Sequence, residues 1–173
     1  MKLGVCFDDV LLSPRYSDIK SRKEIDLTSE VPNLGTHKFS LPIVSSPMDT
    51  VTGTSMAVQI SSQGGLGIIH RYNTVAQQSQ AVYSAKNAGC PVVCAAVGVS
   101  GDFLRRARAL AKSGADVICV DIAHGHHVMM KDALHALRED PYVGDLHIMA
   151  GNVATLCLLY TSPSPRDQRG SRI

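Results

Sequence analysis

The feature that most constrains this chain is a repeat of format. Short apolar runs occur at Ile43–Ser46, Leu66–Ile69, Val92–Val97, Val117–Val120 and His147–Ala150. Runs of that length bounded by turn residues read as buried strands. Each of the first four is followed by a segment with helical spacing, and successive strands lie roughly 25 residues apart, the length of one βα unit with short loops. A strand that alternates with an amphipathic helix returns to the same sheet through a crossover, so the strands pair in parallel.

The helical segments carry their own punctuation. The first, from about Gly53 to Gln63, is Ser-rich and closes at Gly64-Gly65. In the second, Val75, Ser79, Val82 and Lys86 recur at helical spacing behind Asn73-Thr74 as caps. In the third, Asp102 caps a stripe of Phe103, Ala107, Leu110 and Ala111 that Gly114 ends. In the fourth, Met130, Ala133, Leu134 and Leu137 face inward and Asp140-Pro141 stops the helix. Met129-Met130 reads as helix packing. The first forty residues are irregular: Lys20–Lys23 reads as a solvated turn, and Ile25-Asp26-Leu27 alternates briefly like an edge strand.

Two architectures accommodate this pattern, an open doubly wound sheet and part of a (β/α)₈ barrel. The open nucleotide-binding sheet wants G-x-G-x-x-G after its first strand. Gly65-Leu66-Gly67 instead comes before and inside the second strand, and the third glycine is missing. The fold expected is therefore α/β, an incomplete (β/α)₈ TIM barrel with the first five parallel strands only, because eight units need about 250 residues and the chain has 173.

Composition removes several classes of function. A hydrophobic content of 45% suffices for a core, while a net charge of +2 with scattered Lys and Arg gives no basic stripe for nucleic acid or a membrane surface. No apolar run reaches the roughly 20 residues of a membrane span, and no signal-peptide core precedes Asp8-Asp9. The five cysteines have neither disulfide nor zinc spacing, so a reduced, cytoplasmic protein with buried thiols is expected. His124, His126 and His127 lack a partner acid at ligand spacing and read as loop histidines beside a phosphate.

Each strand ends in residues unlike its interior: Ser46-Pro47-Met48-Asp49, then His70-Arg71, Gly98, Asp121 to His127, and Gly151-Asn152-Val153. In a barrel these ends converge on one face, where glycines let backbone N–H groups come close to a phosphate or a ring.

FDDVLLSP (Phe7–Pro14), SRKEIDLT (Ser21–Thr28), SSPMDTV (Ser45–Val51), GGLGIIHR (Gly64–Arg71), DIAHGH (Asp121–His126) and MAGNVAT (Met149–Thr155) follow one another in order. Together they resemble the inosine-monophosphate dehydrogenase / guanosine-monophosphate reductase family. The resemblance implies a barrel, homotetrameric when full length, that binds a purine mononucleotide and a nicotinamide cofactor, and the charge distribution leaves no nucleic-acid or membrane partner expected. The resemblance also implies NAD for a dehydrogenase or NADPH for a reductase, with a monovalent cation such as potassium in the whole enzyme. By the same resemblance Ser46, Met48, Gly151, Asn152 and Arg71 are substrate-binding. Asp121, with Ala123 beside it, is cofactor-binding. In that family a cysteine on a later loop attacks the purine C2 while hydride passes to or from the cofactor, chemistry that suits a thiolate. No cysteine here matches that position: four precede the fifth strand, and Cys157 lies just past the last match.

SSPMDTVT and GGLGIIH look more like the dehydrogenases. The short Asn87–Pro91 link, which leaves no room for an inserted pair of regulatory nucleotide-binding (CBS) modules, leans toward the reductases. A non-catalytic nucleotide-binding half-barrel is the alternative of a different class. Past Thr155 the resemblance stops. Ser162-Pro163-Ser164-Pro165 forbids a helix, and residues 157–173 resemble a translated sequencing adapter, so they are expected to be a non-native, disordered tail after a barrel portion at 1–156. The expectation for such a polypeptide is instability or aggregation, and no activity, because the outer edges of its first and last strands stay open.

Overall fold

The computed structural model describes residues 7–31, 34 and 37–154. Two short strands, β1 (Ser29–Glu30) and β2 (Lys38–Phe39), form an antiparallel hairpin where the sequence reads as irregular. The five expected strands follow as β3 (Val44–Ser45), β4 (Leu66–Ile69), β5 (Cys94–Val97), β6 (Val117–Asp121) and β7 (His147–Gly151). They make one parallel sheet in sequence order. The helices α1 (Thr54–Ser62), α2 (Val75–Asn87), α3 (Phe103–Lys112) and α4 (Val128–Glu139) are the four crossovers. A parallel sheet in sequence order with every crossover on one side is five-eighths of a barrel wall.

Alternation along the strands builds two cores. Ile69, Ala95, Val97, Ile118 and Val120 point toward the helices and pack with Val82, Ala85, Ala107, Leu110, Leu134 and Leu137. Leu66, Ile68, Cys94, Ala96, Val117 and Cys119 point the other way, where Phe39 of the hairpin covers them. Close contact between α1 and β4 depends on Gly67, since a Cβ there would lie 2.6 Å from the Ala57 Cα.

Ion pairs anchor the crossovers at specific points. Lys86 at the end of α2 bonds both oxygens of Asp116 at 2.8 and 2.7 Å, and Asp116 accepts the Val93 N–H at 2.8 Å. Asp140, its side chain 1% exposed, accepts from Arg108 Nε of α3 at 2.6 Å and from the Tyr142 N–H at 2.9 Å. Burial alone would raise the Asp140 carboxyl, but the Tyr142 N–H, Arg108 and the Val143 N–H hold it below its ordinary value.

Four local expectations change. Ile25–Leu27 is not a strand: a short 3₁₀ turn at Arg22–Glu24 precedes it, Thr28 N–H bonds back to Asp26, and the pairing starts at Ser29. The helical spacing read at Val75, Ser79, Val82 and Lys86 does not mark the buried face of α2, which is Gln78, Val82 and Ala85, because Lys86 reaches Asp116. Asp102 precedes α3 without capping it through its side chain, since its carboxylate is taken up by Arg105 and Arg106. Of the methionine pair, Met130 is buried but Met129 is 38% exposed. Cys90, Cys94 and Cys119 are free and buried as expected. Residues 157–173 lie outside the described residues.

Candidate functional site at the carboxyl ends of the strands

The loop after β3 is wound tightly enough to hold its shape. Met48 N–H bonds the Ser46 carbonyl at 2.8 Å, and the Val51 and Thr52 N–H groups both bond the Met48 carbonyl at 3.0 Å. Thr52, fully buried, closes the turn: its Oγ1 donates to the Ser46 carbonyl at 2.6 Å and lies 2.9 Å from Ser45 Oγ. Its carbonyl accepts the His70 N–H at 3.1 Å, tying this loop to the end of β4. Ser46 and Met48 are left exposed, Met48 by 52%.

The loop after β4 carries Arg71. Its guanidinium lies over the end of β5, where a Cβ on Gly98 would sit 3.5 Å from Nη1, and 5.2 Å from the Tyr72 ring centroid. Arg71 Nε is buried with no hydrogen-bond partner among the described residues, as is Asn73 Oδ1. An unpaired buried donor on a cation is costly unless a further acceptor arrives. That fits a ligand carrying anionic oxygens.

The ends of β6 and β7 are joined. Asp121 is in register with Gly151, and it lies two residues beyond Cys119, hence on the same face of the sheet. Ile122 N–H bonds the Gly151 carbonyl at 3.0 Å, Asn152 N–H bonds the Ile122 carbonyl at 2.8 Å, and Gly125 N–H bonds the Asn152 carbonyl at 2.9 Å. Gly125 is buried, and a Cβ on it would meet that same Asn152 oxygen at 2.6 Å. Asp121 and Gly151 are half-buried; Ala123 and Asn152 are exposed. An acid beside exposed backbone and a side-chain amide offers both hydrogen-bond acceptors and donors to a polar ligand.

The sheet therefore brings all seven residues singled out in the sequence to one end of the strands, as two groups joined through the end of β5. His127 takes a different part from a ligand contact: its Nδ1 accepts the Met129 N–H at 3.2 Å and caps α4. No described cysteine joins the site as a nucleophile. Burial pushes the Cys119 thiol up to about 12, with Asp121 adding to it, and burial holds the Cys94 thiol well above its ordinary value. Thr52, Gln78 and Arg106 were not legible as contributors. The available signal was a polar residue on an otherwise apolar face, Gln78 in the α2 stripe.

The family model described as "IMP dehydrogenase / GMP reductase domain" matches residues 4–158. The chain belongs to this family. The inosine-5'-monophosphate dehydrogenase of Nitrosopumilus maritimus (strain SCM1) is 45% identical over 101 residues, which are 58% of this chain and 21% of that relative. The GMP reductase of Vibrio cholerae (strain ATCC 39541) is 33% identical over 159 residues, 90% of this chain and 45% of the relative. The crystal structure of inosine 5' monophosphate dehydrogenase from Legionella pneumophila superposes with a TM-score of 0.73 at 40% identity, over 86% of this chain and 44% of that one. GMP reductase from Trypanosoma brucei has a TM-score of 0.79 at 22% identity, a likeness of fold alone. The chain spans less than half the length of each of these two curated relatives. Among the described residues no helix is long and apolar enough to cross a membrane.

Proposed function

We propose that this chain forms one wall of the site of a purine-nucleotide oxidoreductase that converts inosine monophosphate to xanthosine monophosphate with NAD. The observation that carries the reading is the pairing of a buried, unpartnered Arg71 Nε with the Asp121–Gly151–Asn152 group on the same end of the sheet. Ser46, Met48 and Arg71 hold the nucleotide, with Gly151 and Asn152 at its purine. Asp121, beside Ala123, holds the nicotinamide ribose, and the dinucleotide bound there supplies a hydride acceptor. Ribose hydroxyls donate to a carboxylate, so Asp121 both orients and retains the cofactor. The covalent step falls to a cysteine outside the described residues, because the three described thiols, Cys90, Cys94 and Cys119, are buried. The full enzyme is a homotetramer.

A second reading has its own support. α2 runs into β5 through Ala88–Val93 with no inserted module, and a GMP reductase relative aligns over 90% of the chain. That reading is NADPH-dependent deamination of guanosine monophosphate to inosine monophosphate. The test is titration of the purified chain with each mononucleotide, followed by assay of a polypeptide that also supplies the nucleophilic cysteine. NADH formation with inosine monophosphate supports the first reading and NADPH consumption with guanosine monophosphate the second. Binding of neither nucleotide contradicts both. The chain alone is expected to bind without turnover.

A further inference from the structure

Gln78 is fully buried on α2, between the helix and the sheet. Its Nε2 donates to the Ala96 carbonyl of β5 at 2.8 Å and lies 3.4 Å from the Ile69 carbonyl at the end of β4. Its Oε1 accepts from Arg106 Nη1 of α3 at 2.8 Å. The second arm of that guanidinium, Nη2, donates to the Asn73 carbonyl at 3.1 Å and to Asp102 at 3.3 Å. The Arg106 side chain is 11% exposed.

These contacts have a common geometry. Ile69 and Asn73 are the two ends of the loop that carries Arg71, and Asp102 closes the loop that begins at Gly98. We infer that Gln78 and Arg106 form a buried bracket that grips both ends of the Arg71 loop and sets the Arg71 guanidinium over Gly98. They are positioning residues for the site, and the inference rests on the reading of Arg71 as a ligand contact. A carboxamide suits this place because one side chain must donate to two carbonyls and accept from a guanidinium. Arginine suits the other because its rigid fork reaches a side-chain amide and a backbone carbonyl together. Lysine has a single nitrogen at its tip where arginine places two arms, one on each acceptor.

Besides the bracket, Tyr72 N–H bonds His70 Nδ1 at 3.2 Å, and His70 N–H bonds Thr52. A capping box pairs Thr74 N–H with Gln77 Oε1 at 3.0 Å and Gln77 N–H with Thr74 Oγ1 at 3.2 Å; none of these bonds joins the loop to α3. The bracket therefore governs how long Arg71 stays over Gly98. A loop held at both ends keeps a donor aimed, which matters for any ligand that must be oriented.

The test is amide hydrogen exchange on the 173-residue chain, with Arg106→Lys as the milder variant and Arg106→Met as the stronger. The His70 and Tyr72 amides should exchange about tenfold faster, the size expected for one lost charge-assisted hydrogen bond. Amides of β6 and β7 should be unchanged. Unchanged exchange at His70 and Tyr72, or a uniform rise across the sheet, overturns the bracket. Calorimetric titration with inosine monophosphate then separates positioning from scaffolding. Arg106→Met should weaken binding in the parent chain but add no further loss to Arg71→Ala, whereas additive losses overturn the inference. If the unaltered chain binds neither inosine nor guanosine monophosphate, the nucleotide reading fails while the exchange result still decides the bracket.

Discussion

At the residue scale the site depends on a few atoms with no alternative partner. Arg71→Ala removes the buried Nε that lacks an acceptor, so nucleotide binding should weaken on the order of tenfold or more, measured by calorimetry. Gly125→Ala should cost about 1–3 kcal/mol, as overpacking against fixed backbone does, because its Cβ would sit 2.6 Å from the Asn152 oxygen. Thermal melts would give the loss, and exchange at Ile122 and Asn152 would show where it falls. The buried thiols give a chemical check. With Cys119 raised to about 12 and Cys94 held well above its ordinary value by burial, neither carries a thiolate at neutral pH. Both should resist alkylation in the folded chain and react once it is unfolded, as read by peptide mass spectrometry. The sign on stability follows: the folded state keeps these protons longer than the unfolded one, so stability falls as pH climbs past the ordinary thiol range.

At the element scale, the helices pack through the apolar core, and ion pairs away from the site add fixed points to it. Asp140, just past the end of α4, is tied to α3 through Arg108 and to the turn that follows through the Tyr142 N–H. Its value is held below that of a free carboxyl, so its contribution is present above the ordinary carboxylate range and is lost as pH falls through the folded value. Asp140→Asn should flatten the acid side of the stability profile, measured by urea melts across pH. Gly67→Ala should push α1 off β4 and cost about 1–3 kcal/mol, given the 2.6 Å contact with Ala57. These elements also show what a sequence discloses. β4 to β7 and the four helices were legible because burial on both faces leaves long apolar runs and because helices carry a period. The hairpin β1–β2 was not: two residues per strand cannot show alternation, and Phe39 alone marks its buried side. The direction of Asp102 and Lys86 was equally hidden, since each finds its partner on another turn or another strand. The candidate site was legible as strand-end residues, but its supports, Thr52 and Gln78, are polar groups that only the packed structure shows to be buried.

For the whole molecule, one end of the sheet is plugged and the other is furnished with polar groups. The hairpin fills the inner face through Phe39, while the inner face near β3 stays open and leaves Val44 52% exposed. Among the described residues β3 and β7 each have one neighbour, and Leu11 and Leu12 of the N-terminal arm are 98% and 99% exposed. Unpaired edges and bare leucines favour association. Light scattering should therefore show mass rising with concentration. The same arrangement leaves the carboxyl ends of the strands facing a ligand from one side. Hydrogen exchange by mass spectrometry at low concentration, with and without inosine or guanosine monophosphate, addresses that claim most directly. Protection should appear at Ser46–Met48, His70–Asn73, Asp121–Gly125 and Gly151–Asn152, and nowhere along the helix-facing side. Protection at the hairpin end of the sheet, or none with either nucleotide, would contradict it.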